Sequence, residues 1–435
     1  MLTPTEVYPL VLTWLQALGL PGDANALRAL ARLVDAVLAG QSLRPSALMR
    51  ALLSPTVVPA RQAYKRVARA WARPWLTSAL LTPLLVRAAL VLVPPEREGP
   101  HRGLTYLALD SVRCGPWEVF VLGVVWHGRV LPLAWRVLAY PWPKGQVGPA
   151  VSALLEQVAA CWPGERPVHL VADRGFPGQR LFRTLIRLRW GWTVRLRANT
   201  GVQVGEEQLL VRTLLGRARW AGWTCWQGSY GRGKHAIPAR LVVGRGLVVL
   251  PQHRRTVASQ HRQAQRQAVR RRIRRYRYAS VDQTDPWVVL CTSHPTWRTA
   301  VAGYRRRWAI EGSFRDAQSG WDGRHGWDLE PVLTQRRRPD QVERIVGLWA
   351  LGSLLQTYVG SQVLHGPAWV RALAAGWTTT GRLSIWAHGR FALADRSGRL
   401  HDWLLAVLQE GAVHLATGTP PATAHPPPPV LRPAA

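Results

Sequence analysis

The chain has 435 residues, enough for several domains with substantial cores, and a formal net charge of +33. An excess of this size attracts polyanions, of which nucleic acid is the commonest, with an anionic membrane surface as the competing partner. Its four cysteines, Cys114, Cys161, Cys225 and Cys291, form no CxxC pair and no Cys/His cluster of zinc spacing, which argues against structural zinc and suits a reducing cytoplasm.

No signal peptide and no uninterrupted membrane-length apolar run is read. The best candidate, "PWLTSALLTPLLVRAALVLVPP", is broken by Pro83 and Arg87 and is expected to be buried core. Basic charge is carried almost entirely by Arg, with only Lys65, Lys144 and Lys234 as lysines, and no carboxylate lies between Glu207 and Asp282.

In chain order, residues 1–97 read as helical. Within them, "SLRPSALMRALLSPTVVPARQAYKRVARAWARPWL" is two helices around a proline turn. The second carries Arg61, Lys65, Arg66, Arg69 and Arg73 on one basic face, as a DNA-contacting helix of helix-turn-helix type would. A plain solvated amphipathic face is the competing reading. "PPEREGPHRG" is a linker. Strands follow at "LTYLALD", "EVFVLGVVW" and "VLPLAWRVL", then a helix at "QVGPAVSALLEQVAACW" and a strand at "PVHLVAD". A helix at "GQRLFRTLIRLRW" and a strand at "WTVRLRA" complete a mixed α/β pattern.

Residues 200–282 interrupt it with short strands and glycine turns, then the basic run "HRRTVASQHRQAQRQAVRRRIRRYRY". That run includes Arg271, Arg272 and Arg274 and is expected to track phosphates. "DPWVVLCTS" is one more core strand. It leads into "YRRRWAIEGSFRDAQSGW", read as a helix with Tyr304, Arg307, Glu311, Arg315 and Gln318 near one face. The chain is helical after residue 341, and "TGTPPATAHPPPPVLRPAA" is a proline-rich tail without the apolar content to fold.

Two aspartates are read as ending apolar strands: Asp110 in "LALDS" and Asp173 in "LVADRGF". Carboxylates at strand ends are held rigidly beside a crevice. With a glutamate from a later helix they make an oxygen-donor set for one or two Mg²⁺, which serve in-line phosphoryl transfer. Glu311, flanked by arginines suited to the phosphates around a scissile bond, is the candidate third carboxylate. Asp282, Asp285, Asp316 and Glu330 remain open on spacing alone.

These residues resemble the bacterial insertion-sequence DDE transposases with a YREK signature, the cut-and-paste, hairpin-forming type. Tyr304, Arg307 and Glu311 match the signature, with Gln318 in place of its lysine. "VADRGF" is similar to the second-aspartate motif, "LALDS" resembles the first, and "RLSIWAHGRFAL" (382–393) resembles a recurrent C-terminal stretch. The resemblance implies an α/β fold with a ribonuclease-H-like mixed-sheet core, a β-rich insertion, a helical N-terminal DNA-binding domain and a helical C-terminal region. Its expected divisions are 1–97 (DNA binding), 98–199 (core, first part), 200–282 (β-rich and basic insertion), 283–340 (core, second part), 341–416 (helical) and 417–435 (tail).

It also implies Asp110, Asp173 and Glu311 as catalytic metal ligands for Mg²⁺, with Mn²⁺ as a substitute. Tyr304, Arg307, Arg315 and Gln318 would contact DNA together with Arg61, Lys65, Arg69, Arg271, Arg272 and Arg274. A tryptophan of the insertion, Trp220, Trp223 or Trp226, would stack on a flipped base. The implied partners are double-stranded DNA, namely terminal inverted repeats and target DNA, and a second copy of the chain. The implied location is the cytoplasm, on the nucleoid and away from membranes. A catalytically inactive, transposase-derived DNA-binding protein is the alternative.

Overall fold

The computed structural model describes residues 7–53, 59–72, 76–96, 101–217, 223–245, 287–318, 326–336, 338–377, 384–394 and 398–420. Contacts divide the chain into two units, one of Met1–Val171, Thr184–Trp190 and Arg306–Ala435, the other of Ala172–Arg183 and Gly191–Arg305.

The first unit opens with helices Val7–Ala17, Ala24–Gly40, Pro45–Leu53, Ala60–Trp71 and Ser78–Leu92. Asp23 starts the second of these by accepting from the Ala26 amide at 2.6 Å, satisfying one of the amides a helix start leaves open. Pro45–Leu53 and Ala60–Trp71 are the two helices expected around the proline turn. Ser78–Leu92 carries Pro83 within it and buries Leu81, Leu85, Val86 and Leu92, so this apolar run is core. Among the described residues no helix is long and apolar enough to cross a membrane.

Three strands then form an antiparallel meander: β1 (Thr105–Cys114), β2 (Trp117–Trp126) and β3 (Arg129–Ala139). The β2–β3 turn is tight because His127 and Gly128 both take positive φ, +46° and +75°, the backbone a two-residue hairpin requires. Helix Val147–Ala159 follows, then β4 (Val168–Ala172), which lies beside β1 in the order β3-β2-β1-β4. β2, β4 and the Val130–Trp135 part of β3 are continuously or almost continuously buried, so both of their faces are covered. Arg166, just before β4, donates to the Leu90 carbonyl at 3.0 Å, to the Val93 carbonyl and to Thr105 Oγ1 at 2.8 Å. It thereby ties the open end of helix Ser78–Leu92 to the start of β1.

The remaining helices of this unit are Trp308–Gln318, Leu329–Thr334, Pro339–His365, Ala368–Ala375, Ile385–Ala394 and Gly398–Thr417. Pro339–His365 is buried on every side from Ile345 to Ser361, so it is the spine of the helical region. Glycines let its neighbours touch its backbone. A Cβ on Gly360 would lie 1.7 Å from the Ile385 carbonyl oxygen, and one on Gly389 would lie 1.8 Å from that of Gln356. This contact accounts for the glycine in "RLSIWAHGRFAL".

The second unit is built on β5 (Gly191–Arg195), β6 (Gly201–Val204), β7 (Glu207–Leu210), β8 (Thr224–Tyr230), β9 (Ile237–Arg245) and β10 (Trp287–Thr292). Their order is β5-β10-β9-β8-β6-β7, and every neighbouring pair is antiparallel. Helices Gln179–Arg187, Val211–Arg217 and Trp297–Arg305 accompany these strands, the first continuing into the other unit. Two strands assigned from sequence to the core, β5 and β10, thus share one sheet with the strands of the insertion. The basic run with Arg271, Arg272 and Arg274 lies outside the described residues, as do residues 421–435 of the tail.

The architecture is mixed α/β with helical regions at either end of the described chain. Two local expectations are corrected. Asp110 does not end its strand: β1 continues to Cys114, and Asp110 pairs with Val121 in mid-ladder. The stretch from Tyr304 to Gln318 is not one helix. It breaks at Arg306–Arg307, where the Ala309 and Ile310 amides bond back only three residues, to Arg306 and Arg307 carbonyls at 3.0 and 3.1 Å. At the break, Arg306 pairs with Glu96 and Arg307 with Asp110.

Candidate active site

In the first unit, Arg307 is the centre of a three-residue cluster. Its Nη1 donates to Asp110 Oδ2 at 3.2 Å and its Nη2 to Glu311 Oε1. Glu311 is reachable because it lies one turn along in the first turn of helix Trp308–Gln318, an end that also favours a carboxylate. Asp110 is steadied from its own strand, with Oδ1 accepting from the Ser111 amide at 2.8 Å. The arginine side chain is 4 % exposed, that of Asp110 17 % and that of Glu311 36 %, so the carboxylates keep faces toward solvent while the cation is covered. The Arg307 guanidinium lies 4.8 Å from the Trp308 ring centroid. Arg306, beside it, pairs with Glu96 and sits 4.7 Å over the Tyr106 ring. Both arginines thus pin the turn that precedes Glu311.

Other acidic candidates are committed differently. Asp316 is buried and accepts from Arg129 Nε at 2.5 Å, a buried pair linking helix Trp308–Gln318 to the start of β3. Burial raises the Asp316 carboxyl pKa, while Arg129, Arg315 and Arg390 oppose the rise. Gly312 gives Arg129 its route, since a Cβ there would meet the guanidinium at 2.9 Å. Glu330 is exposed on helix Leu329–Thr334, and Asp282 and Asp285 lie outside the described residues.

In the second unit, Asp173 directly follows β4 and accepts from the Tyr304 hydroxyl at 3.1 Å through Oδ1. Its carbonyl accepts from the Phe176 amide at 3.2 Å, closing the turn of "DRGF". Tyr304 is only 1 % exposed and packs with Val242, Val288, Leu290, Ala300 and Val301. The sequence set Tyr304 and Arg307 near one helix face and carried no signal of the burial of either. The four-residue spacing of Arg307 and Glu311 signals their pairing, whereas the contact of Arg307 with Asp110, 197 positions away, leaves no such signal.

The other candidates are distributed as follows. Arg315 is exposed and Gln318 half-buried on the Glu311 helix. Arg61, Lys65 and Arg69 are exposed on helix Ala60–Trp71, whose buried side is Ala63 and Val67. Trp223 is stacked on Trp297, centroids 6.3 Å apart and planes 8° from parallel, and it lies flat against Gly244. Trp226, half-buried on β8 opposite Leu241, has no such ring partner among the contacts of the described residues, and Trp220 lies outside them.

Among the described residues no three His, Cys, Asp or Glu side chains gather closely enough to hold a metal ion by themselves. The Asp110–Glu311 pair nevertheless has the donor chemistry of a hard-cation site. Two carboxylates share one guanidinium, leaving one negative charge in excess, and Mg²⁺ is commonly held by one or two carboxylates plus water and substrate phosphate. The guanidinium is the cation the pair holds here.

Residues 145–326 match the transposase DDE domain family. This match supports a DDE transposase family and a DNA-processing enzyme, and divalent-metal use and DNA substrates are general to that family. The matched segment contains Asp173, Tyr304, Arg307 and Glu311 and begins after Asp110. No curated protein matches the chain.

Proposed function

We propose that the chain is a Mg²⁺-dependent DDE transposase of the YREK type that cleaves DNA at insertion-sequence ends and joins them to target DNA. The observation that carries this reading is the convergence of Asp110 and Glu311 on Arg307, with Glu311 inside the segment similar to transposase DDE domains. Asp110 and Glu311 would hold the metal, with Asp173 as the third carboxylate of a ribonuclease-H-like core. When bound, Mg²⁺ supplies Lewis-acid polarisation of a phosphoryl oxygen and a more acidic water. Mn²⁺ is the expected substitute.

The chain's own residues bind and orient the DNA. Arg307, released from the carboxylates, would turn its planar fork to a phosphate beside the scissile bond, and exposed Arg315 would hold the next one. Gln318 would hydrogen-bond a phosphate without neutralising it. Arg61, Lys65 and Arg69 would follow the backbone of the terminal repeat, joined by Arg271, Arg272 and Arg274 of the basic run. Trp226 is the favoured stacking residue for a flipped base, since Trp223 is already spent on Trp297 and Gly244. The reaction sequence is a nick by water, attack of the freed 3′-hydroxyl on the opposite strand to give a hairpin, hairpin opening, and attack of the 3′-hydroxyl on target DNA. A dimer on two paired ends, on the nucleoid, completes the proposal.

The test uses purified full-length protein, Mg²⁺ and labelled DNA carrying the gene's flanking inverted repeats, beside Glu311→Gln. Cleavage or hairpins by the wild type alone support the enzyme. Specific binding by both proteins with no cut by either would move the assignment to an inactive DNA-binding descendant.

A further inference from the structure

Tyr304 contradicts the role its place in the signature suggests. A side chain that reads a DNA backbone needs solvent access, and this one is 1 % exposed, with its ring enclosed by Val242, Val288, Leu290, Ala300 and Val301. The polar end of the buried phenol meets Asp173 Oδ1 at 3.1 Å. The ring is therefore locked by packing, and the hydroxyl is delivered to one carboxylate oxygen from a rigid mount. Asp173 sits in a turn immediately after β4, closed by the bond from the Phe176 amide to its carbonyl. A hydroxyl donor to a carboxylate oxygen is a charge-assisted bond that fixes the plane of the carboxylate. Outer hydrogen-bond partners of this kind tune ligating groups by roughly tenfold or more in metal affinity or activity.

We propose that Tyr304 is a positioning residue for Asp173, orienting its carboxylate for metal and contributing no contact to DNA. The inference rests on the proposed enzyme reading, in which Asp173 ligates the metal. With one Asp173 oxygen engaged by the hydroxyl, the other is presented in a defined direction. Loss of the hydroxyl leaves the ring's packing intact and frees the carboxylate to rotate.

The experiment compares full-length wild type, Tyr304→Phe and Asp173→Asn. Mn²⁺ affinity without DNA is read by electron paramagnetic resonance, and single-turnover cleavage of repeat-end DNA is titrated with Mg²⁺. For Tyr304→Phe the expected result is about tenfold weaker Mn²⁺ binding and a Mg²⁺ half-saturation raised by about the same factor. The cleavage rate should recover at high Mg²⁺, the unfolding midpoint should stay near wild type, and DNA-end affinity should change less than about twofold. A merely structural role would not move the metal dependence and then be rescued by metal. Weakened DNA affinity with unaltered metal dependence would overturn the inference in favour of DNA contact. Unchanged metal dependence in Tyr304→Phe, beside a cleaving wild type and a dead Asp173→Asn, would overturn the inference alone. Mn²⁺ binding that is indifferent to Asp173→Asn, with no wild-type cleavage, would overturn the inference and the enzyme reading together.

Discussion

Arg307 Nη1 lies 3.2 Å from Asp110 Oδ2, a mid-strand carboxylate, and the same guanidinium holds Glu311. Removing that positive charge takes from the two carboxylates the guanidinium they share. Arg307→Met is therefore expected to lower stability by about 2 kcal/mol, less than for a fully buried pair because Glu311 remains wet. Added Mg²⁺ should return part of the loss and should raise the midpoint of the variant more than that of the wild type. Urea unfolding with and without Mg²⁺ checks this, and equal midpoints for the two proteins would sink it.

The Arg129–Asp316 pair, whose carboxylate is the buried member, ties the Glu311 helix to β3. Arg129→Met should cost about 3 kcal/mol, because a buried carboxylate is left uncompensated. Burial already raises the Asp316 pKa, and loss of Arg129 raises it further. A carboxyl whose folded pKa exceeds its unfolded value loses stabilisation as pH rises through that range. The variant's deficit should therefore be smaller at pH 5 than at pH 8. Restoration of stability in an Arg129→Met/Asp316→Leu double variant is the second check.

His101 is buried against Tyr106, sharing a 2.6 Å hydrogen bond with its hydroxyl, and burial together with Arg306 lowers its pKa from 6.5 to about 4. The unfolded chain binds this proton more readily than the folded one. Stability from the neutral imidazole is thus fully present above pH 6.5 and is lost as pH falls toward 4. His101→Gln should flatten that acid limb by on the order of 2 kcal/mol in urea titrations between pH 7 and pH 4. An unchanged limb would remove His101 from the account.

Helix Pro339–His365 and helix Ile385–Ala394 approach until backbones touch, and Gly389 has no room for a Cβ beside the Gln356 carbonyl. Gly389→Ala forces the helices apart and is expected to cost about 3 kcal/mol. Gly103→Ala meets no atom within 4 Å but sits at φ +81°, so it carries backbone strain without a clash and should cost about 1 kcal/mol. Thermal midpoints ranked in the opposite order would contradict the packing argument.

Lys65 is exposed on helix Ala60–Trp71, away from the buried Ala63 and Val67. Lys65→Ala should leave unfolding unchanged and reduce the slope of log affinity for DNA against log salt by about one. Filter-binding isotherms across a salt series measure it, and an unaltered slope would take this helix off the phosphate backbone.

Much of the architecture was legible in the sequence, because its signals are local. Alternating apolar runs at β1 to β3 and β10, and leucine periodicity in the terminal regions, mark elements whose side chains must leave water whatever they pack against. The charge of +33 likewise needs no fold to name its partner class. The acidic side chains were legible as types in motifs, but their partners were not. Glu311, Asp316 and Asp110 look alike in spacing, and the tertiary structure alone joins Glu311 to Asp110 through Arg307 while giving Asp316 to Arg129. The break at Arg306–Arg307 also escaped the sequence, since a helical pattern continues through it and the partners of the two arginines, Glu96 and Asp110, lie far away in the chain. The motif named Tyr304 but not its burial, which only the structure shows. Local propensity and hydrophobic burial act through neighbours in the chain, whereas ion pairs and buried hydroxyls are decided by groups that meet only after folding.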